Sequence, residues 1–250
     1  MRPPGPNFHQ GQTTYQGSPA DYQKARVQHK EYCALLERCG LSLTQLKPDI
    51  RYPDSTFVED TAVLFSKHAV LCRPGAPTRL NEVAEMRPTL SQFFSSLDSI
   101  QNPGFLDGGD VCQAGNHFFI GVSQRTNEEG ARQMALLITQ YGYTSSIIDI
   151  RGIDGILHLK SGLAYIEDKR LVAINSLIDR IEFAGYQVIP VTEGAEYAAN
   201  CVRINESVLI AAGFPELEDS LVACGYQTLA IDMSEFQKMD GGLSCLSLRF

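Results

Sequence analysis

No CxxC pair, no HxH or HxxE spacing and no basic run occurs in the 250 residues of this chain. The first two absences remove the usual spacings of structural zinc ligands, so no metal site is expected. The seven cysteines, at 33, 39, 72, 112, 201, 224 and 245, are an odd number in a chain too large to need disulfide staples. Lack of a basic run, with a formal net charge of −8, argues against a nucleic-acid or anionic-membrane partner and favours a small cationic ligand. Also missing is any stretch near the roughly 18 to 20 uninterrupted apolar residues of a membrane span. Met1-Arg2-Pro3-Pro4-Gly5 has no hydrophobic core of a signal peptide, so a cytoplasmic protein is expected. The 44% apolar content suffices for one large domain over residues 1–250.

Five polar positions recur ahead of similar apolar runs: Asp60 before Thr61-Ala62-Val63, Asp110 before Val111, His158 in Leu157-His158-Leu159, Asn200 before Cys201-Val202, and Cys245 in Leu243-Ser244-Cys245. Their spacings by subtraction are 50, 48, 42 and 45 residues. A period of that length marks a repeated supersecondary unit, and five units use up the chain. Because the equivalent place carries a different polar residue in each unit, a closed ring with its polar ends meeting at the axis is expected.

Residues 1–17, rich in Pro, Gly, Gln and Thr, read as a loop able to cover a site. Ser18-Pro19 predicts a helix start, with Tyr22, Ala25, Tyr32, Leu35 and Leu36 at helical spacing to a stop at Gly40. Strands are expected over 57–64 and 68–72, and a helix broken near Pro88 over 78–94. A hairpin about Gly115-Asn116 precedes a helix opened by the capping box Thr126-Asn127-Glu128-Glu129. A hairpin over 162–174, a helix over 175–185, a strand over 186–191, a hairpin over 201–211 and a helix over 215–225 follow. Leu243 and Cys245 alternate with Ser244, which predicts a short buried strand placing Cys245 at the edge of a core. Strands alternating with helices, with hairpins inside each unit, define an α/β domain of mixed sheets.

A lone cysteine is more often a small buried hydrophobe than a nucleophile, and that reading holds for Cys33, Cys39, Cys72, Cys112 and Cys201. Cys245 differs in its company. Asp54, Glu59, Asp60, Asp107 and Asp110 gathered at one point would repel one another unless a cation neutralised them, and a divalent metal or a guanidinium are the candidates. The missing metal-ligand spacings favour the guanidinium, whose planar N–H donors match carboxylate pairs. Cys245 then supplies a nucleophile for the guanidinium carbon, and His158 a proton donor for the departing amine. Asp107 or Asp110 would orient His158. Arg73 and Arg125 read either as bidentate holders of a substrate carboxylate or as solvated surface residues.

Phe57-Val58-Glu59-Asp60-Thr61-Ala62-Val63, Leu106-Asp107-Gly108-Gly109-Asp110-Val111, Gly121-Val122-Ser123-Gln124-Arg125-Thr126-Asn127, Leu157-His158-Leu159-Lys160-Ser161 and Leu243-Ser244-Cys245 resemble, in order, the signature segments of the dimethylarginine dimethylaminohydrolases. The likeness runs from Asp21 to Leu248. It implies the pentein fold, a five-bladed β/α-propeller of ββαβ-type units with pseudo-fivefold symmetry. It also implies cofactor-free hydrolysis of Nω-methylated arginine to citrulline and methylamine or dimethylamine, through a covalent S-alkylthiouronium on the cysteine. Carried over by position, it implies Cys245 as nucleophile, His158 as general acid and then base, and Asp107 as their partner. Asp60 would pair with the guanidinium, Asp54 and Glu59 would fix the amino end or order the site, and Arg73 and Arg125 would anchor the carboxylate. Met239 would turn its carbonyl to the α-amino group. Where the family's flap reads Gly-Leu-Thr, this chain has Gly11-Gln12-Thr13, which puts Gln12 at the lid. A relative acting on arginine or another guanidino acid, and a non-catalytic arginine-binding protein on the same scaffold, are the rival readings. For quaternary structure, monomer and homodimer both stay open.

Overall fold

The computed structural model describes Met1–Phe250. The chain packs as two compact units, one of Met1–Phe57 with Ser161–Ser247 and one of Val58–Lys160 with Leu248–Phe250. Helix α1 (Tyr22–Arg38) opens one residue after Asp21, whose carboxylate accepts the Gln23 and Lys24 N–H groups. A carboxylate satisfies those free donors and suits the positive end of the helix dipole, so Asp21, not Ser18, sets the start.

In the Val58–Lys160 unit, β1 (Ala62–Phe65) and β2 (His68–Leu71) form a hairpin, and β3 (Leu97–Ser99) adds parallel to β2. β4 (Val111–Ala114) and β5 (His117–Val122) repeat the hairpin, and β6 (Thr144–Asp149) adds parallel to β5. The strand expected over 57–64 is shorter, because Val58–Thr61 winds into a 3-10 turn closed by the Thr61 hydroxyl on the Val58 carbonyl. The expected 78–94 helix breaks into 3-10 turns at Pro77–Arg79 and Glu82–Glu85 and the short α2 (Met86–Leu90). Phe65, Leu106, Phe118, Ile120, Met134 and Ile138 form the core of this unit.

Helix α3 (Glu128–Gln140) links β5 to β6 and is capped by Asn127, not Thr126. The Asn127 Oδ1 accepts the N–H groups of Gly130 and Phe105, and its Nδ2 donates to the Pro103 carbonyl. Gly130 admits this approach, since a Cβ there would stand 1.9 Å from the Phe105 carbonyl oxygen.

After the one-turn α4 (Leu159–Gly162), the same pattern returns twice in the Met1–Phe57 and Ser161–Ser247 unit. β7 (Leu163–Tyr165) pairs antiparallel with β8 (Arg170–Ile174), and β9 (Gln187–Val191) parallel with β8. β10 (Val202–Ile204), β11 (Ser207–Ala211) and β12 (Gln227–Ile231) do likewise, with α5 (Pro215–Ala223) between the last two. The helix expected over 175–185 is absent. Leu177, Arg180, Phe183 and Tyr186 instead donate in turn to the carbonyls of Ile174, Leu177, Arg180 and Phe183, a period of three rather than 3.6 that buries Leu177 and Phe183.

Four mixed three-stranded sheets result. In the fifth period, α6 (Ser234–Gln237) leads to a 3-10 turn at Ser244–Leu246 where a strand was expected. Side chains satisfy its backbone in place of a neighbouring strand. Tyr32 donates to the Leu243 carbonyl, Tyr197 to the Gly241 carbonyl, and Asn200 accepts the Ser244 N–H. Phe8, Tyr32, Leu36, Phe57, Phe236 and Leu243 pack into the core below.

Asn127→Ala removes a helix cap and two loop bonds together, and should lower the free energy of unfolding by about 2 kcal/mol or more. Asn127→Asp, which keeps the acceptor and loses only the donor to Pro103, should cost less. Urea unfolding midpoints of the two variants check the ranking; equal losses would show that the cap itself contributes little.

Candidate active site

The acidic centre is built from three turns that each precede a strand pair. Asp60 lies in the turn before β1, Asp107 and Asp110 flank the turn before β4, and His158 sits just ahead of α4 and β7. His158 Nε2 is 3.0 Å from Asp107 Oδ2 and 3.9 Å from Asp60 Oδ1, and all three residues are buried. Gly108 and Gly109 allow this closeness. Neither has a positive φ; a Cβ on Gly108 would stand 2.0 Å from the Glu59 carbonyl oxygen, and one on Gly109 2.8 Å from the His158 ring.

The four carboxylates named in the motifs have distinct partners. Asp60 Oδ1 accepts the Gly109 N–H and its Oδ2 accepts from the Arg79 guanidinium at 2.6 Å. Asp107 Oδ1 accepts the Gly75 N–H while its Oδ2 faces His158. Asp110 takes the Leu159 N–H on Oδ1 and the Ser123 and Thr126 hydroxyls on Oδ2. Of the two aspartates proposed to orient His158, Asp107 is the one that contacts it, and Asp110 fixes backbone. Glu59 accepts from Lys160 at 2.6 Å.

Arg79 and Glu82 were not singled out in the sequence. Arg79 is buried, bonds both oxygens of Glu82 through Nε and Nη2, and reaches Asp60 through Nη1. The Arg79-x-x-Glu82 spacing of an i,i+3 ion pair was the available signal. Arg73, by contrast, lies with its guanidinium 4.2 Å from the Phe105 ring centroid and donates to the Gly104 carbonyl. Arg125 has its backbone N–H fixed by Ser123 Oγ, and its own carbonyl stands 2.2 Å from where a Cβ on Gly75 would lie.

Burial by itself would lower the pKa of His158, but Asp60, Asp110 and the hydrogen-bonded Asp107 outweigh it and bring it up to about 9. Burial would raise Asp60, yet the charges of His158 and Arg79 and the Gly109 N–H hold it below the usual carboxylate range. Burial dominates at Asp110 and pushes it up to about 6, against the opposing pull of His158 and its three donors. Ligand atoms of Asp60, Asp107 and His158 all lie within 4.8 Å of one another. Arg79 already pairs with Asp60 there at 2.6 Å, a positive charge that would compete with an ion for that carboxylate.

The second group of residues belongs to the other unit. Cys245 is half-buried, and its Sγ accepts the Gly242 N–H at 3.4 Å. Asn200 clamps this loop twice, accepting the Ser244 N–H at 2.9 Å and donating to the Ser244 hydroxyl at 3.0 Å. A Cβ on Gly242 would stand 2.4 Å from Asn200 Oδ1, and one on Gly241 2.1 Å from the Phe57 ring, so both glycines are set by close packing. In the same unit the Gln12 N–H points at both oxygens of Asp54, at 3.1 and 3.2 Å. Thr13 and Thr14 bond the Lys238 carbonyl and the Asp240 carboxylate. Met239 is buried in the core, with its Cε 3.1 Å from a Cβ position on Gly11. The structure thus gathers Gln12, Asp54 and Met239 at one place, as it gathers Asp60, Asp107 and His158 at another.

A scan of the chain against models of protein families matched none. Among curated proteins, a dimethylarginine dimethylaminohydrolase of Pseudomonas aeruginosa is 39% identical over 250 residues, covering all of this chain and 97% of that protein. A crystal structure of the Pseudomonas aeruginosa enzyme, a cysteine-to-serine mutant complexed with citrulline, superposes with a TM-score of 0.96 at 39% identity, covering 100% of this chain and 97% of that one. A dimethylarginine dimethylaminohydrolase carrying a histidine-to-glycine change, an adduct with S-methyl-L-thiocitrulline, gives a TM-score of 0.95 at 39% identity and the same coverage. With four repeats of hairpin plus parallel strand, the fold is that of the pentein superfamily. Within it, the chain belongs to the dimethylarginine dimethylaminohydrolase family.

Protonated His158 links folding to pH. Its folded pKa of about 9 lies above the ordinary histidine value of about 6.5, so the folded state holds the extra proton between those values. The stabilisation is complete below pH 6.5 and is lost as pH rises through 9, by about 3 kcal/mol. Urea unfolding from pH 6.5 to 9 should show this decline in the wild type and a much flatter line in His158→Asn. An imidazole that titrates near 6.5 by NMR would refute it. For the loop of Cys245, Asn200→Ala should lower kcat about tenfold or more with little change in KM, since it frees the backbone at Ser244 beside Cys245. A change confined to KM would place Asn200 in the substrate pocket instead.

Proposed function

We propose that this chain hydrolyses Nω-methylated free arginine, asymmetric dimethylarginine or monomethylarginine, to citrulline and dimethylamine or methylamine. The observation that carries the reading is a buried His158 held 3.0 Å from Asp107 and 3.9 Å from Asp60, acids that raise its pKa, in a chain 39% identical along its whole length to a dimethylarginine dimethylaminohydrolase. A group that starts charged is suited to give a proton, and the methylated nitrogen needs one to leave.

In the proposed sequence, the Cys245 thiolate attacks the central guanidinium carbon and a C–S bond forms. The C–N bond to the methylated nitrogen then breaks as His158 delivers its proton, leaving an S-alkylthiouronium and a free amine. Neutral His158 next takes a proton from water, whose oxygen adds to the same carbon. The C–S bond breaks as the added hydroxyl gives its remaining proton to solvent and becomes the carbonyl of citrulline, and the thiolate returns. The Gly242 N–H beside Cys245 Sγ supports the charged sulfur, and Asp107 supports the imidazolium. We assign Asp60 to the substrate guanidinium, Asp54 and Glu59 to ordering the amino end, Arg73 and Arg125 to the carboxylate, the Met239 carbonyl to the α-amino group and Gln12 to the lid. No cofactor enters these steps. The net charge of −8 and the lack of a helix long and apolar enough to cross a membrane suit a cytoplasmic enzyme of a small cationic substrate.

Citrulline release from asymmetric dimethylarginine, monomethylarginine, arginine and agmatine tests the reading. Turnover of the two methylated substrates, lost by a factor of about 1,000 or more in Cys245→Ser and His158→Asn, is expected. Equal turnover of arginine would make the chain a deiminase, and binding without turnover an arginine-binding protein.

A further inference from the structure

The Gly241–Gly242 peptide lies between Cys245 and a tyrosine that the proposed reaction does not use. Gly242 donates its N–H to Cys245 Sγ at 3.4 Å, and the carbonyl of the same peptide unit, that of Gly241, accepts the Tyr197 hydroxyl at 2.8 Å. The unit is trans, so its C=O and N–H point in opposite directions and fixing one aims the other. The backbone is tied on either side as well, with the Gly241 N–H on the Phe236 carbonyl and the Cys245 N–H on the Gly242 carbonyl. Close packing against Phe57 and Asn200 keeps a Cβ off both glycines, which leaves the peptide between them little steric resistance to turning. Tyr197 reaches it from the 3-10 turn Glu196–Ala199. Asn200 follows three residues later, one turn on in that period, and meets the same loop at Ser244. Burial, and then the negative charges of Cys245 and Asp232, raise the Tyr197 phenol pKa. Its hydroxyl therefore stays a donor throughout the range in which a thiol titrates.

We propose that Tyr197 is a positioning residue for the hydrolysis, acting on Cys245 through the Gly241–Gly242 peptide; this rests on the reading of Cys245 as the nucleophile. The hydroxyl holds the carbonyl away from the sulfur, keeps the N–H aimed at it and, by polarising the peptide, makes that N–H a stronger donor. A thiolate gains more from such a donor than a neutral thiol does, so the bond favours the charged form. Without the hydroxyl, the buried Gly241 carbonyl loses this partner, and turning the peptide to find another would bring its oxygen toward the sulfur and its N–H away. The other titratable side chains on the elements around the loop are Tyr32, which donates to the Leu243 carbonyl, Glu235 and Lys238, paired at 2.9 Å, and Asp54 and Asp240, which accept the Gln12 and Thr14 N–H groups. Tyr197→Phe leaves each of these bonds in place.

The rate of Cys245 alkylation by iodoacetamide against pH gives its thiol pKa without turnover. Mass spectrometry of the 239–249 tryptic fragment, in which Cys245 is the one cysteine, reads it. In Tyr197→Phe, which keeps the ring and removes the hydroxyl, that pKa should rise by about 0.5 or more, about a threefold loss of thiolate at neutral pH. 3-Fluorotyrosine in place of Tyr197, a stronger donor of nearly the same shape, should lower it, and this variant tests the relay even where Tyr197→Phe does not fold. Asn200→Ala, which frees the same loop at Ser244, should move the pKa less than Tyr197→Phe does. An unchanged pKa in Tyr197→Phe, a rise in the fluorinated protein or an equal rise in Asn200→Ala would overturn the relay. Alkylation needs no substrate, so these results are independent of citrulline release, whose absence in the wild type would overturn the hydrolytic reading instead.

Discussion

A side-chain oxygen in one period accepting a backbone N–H of the next is the interaction on which the site depends. Asp60 takes the Gly109 N–H, Asp110 takes the Leu159 N–H, and Asn200 takes the Ser244 N–H. Each acceptor stands at the equivalent place of its repeat, and each donor lies within a residue of the next equivalent place. A turn has no ladder partner for its amides, and a buried unpaired N–H costs free energy comparable to a lost hydrogen bond. The stitches therefore satisfy the turns and, in the same bonds, fix where the functional side chains begin.

Charge balance is the second constraint. Asp60, Asp107, Asp110 and Glu82 are all buried, and Arg79 and His158 answer them from within the same unit. Taking such charges out of water is offset only where each has a close partner and its remaining oxygens are hydrogen-bonded. Asp60 and Asp107 meet that condition, whereas Asp110 has only neutral donors, so burial dominates there. The raised pKa of His158 is thus a product of the packing that assembles the acids, and the proton-donor role proposed for it needs no separate device.

Much of this was legible in the residues. The recurrence every 42 to 50 residues gave the repeat and the equivalent positions of Asp60, Asp110, His158, Asn200 and Cys245, because a polar residue ahead of an apolar hairpin is a local signal. The hairpins at Gly115-Asn116 and at 167–170 were legible for the same reason, the latter with Glu167, Asp168 and Lys169 all at positive φ. What was not legible depends on residues far apart in sequence. The strand expected at Cys245 is a turn because Tyr32, Tyr197 and Asn200 reach it from elsewhere. The expected helix after β8 follows a three-residue period because Leu177 and Phe183 must both be buried. Arg79 looked like one cation among many, since only the folded chain shows which carboxylates it meets.

The chemical nature of the stitches differs in a way that matters for reactivity. Two of them, Asp60 and Asp110, are carboxylates beside a histidine that gains by negative neighbours. The third, Asn200, holds the loop of Cys245 with an uncharged amide of nearly the same shape. An aspartate there would accept the Ser244 N–H equally well, yet it would set a permanent negative charge against a sulfur that in the proposed reaction becomes negative itself. The amide keeps the geometry and leaves the electrostatic environment of the proposed nucleophile to be completed by whatever cation enters.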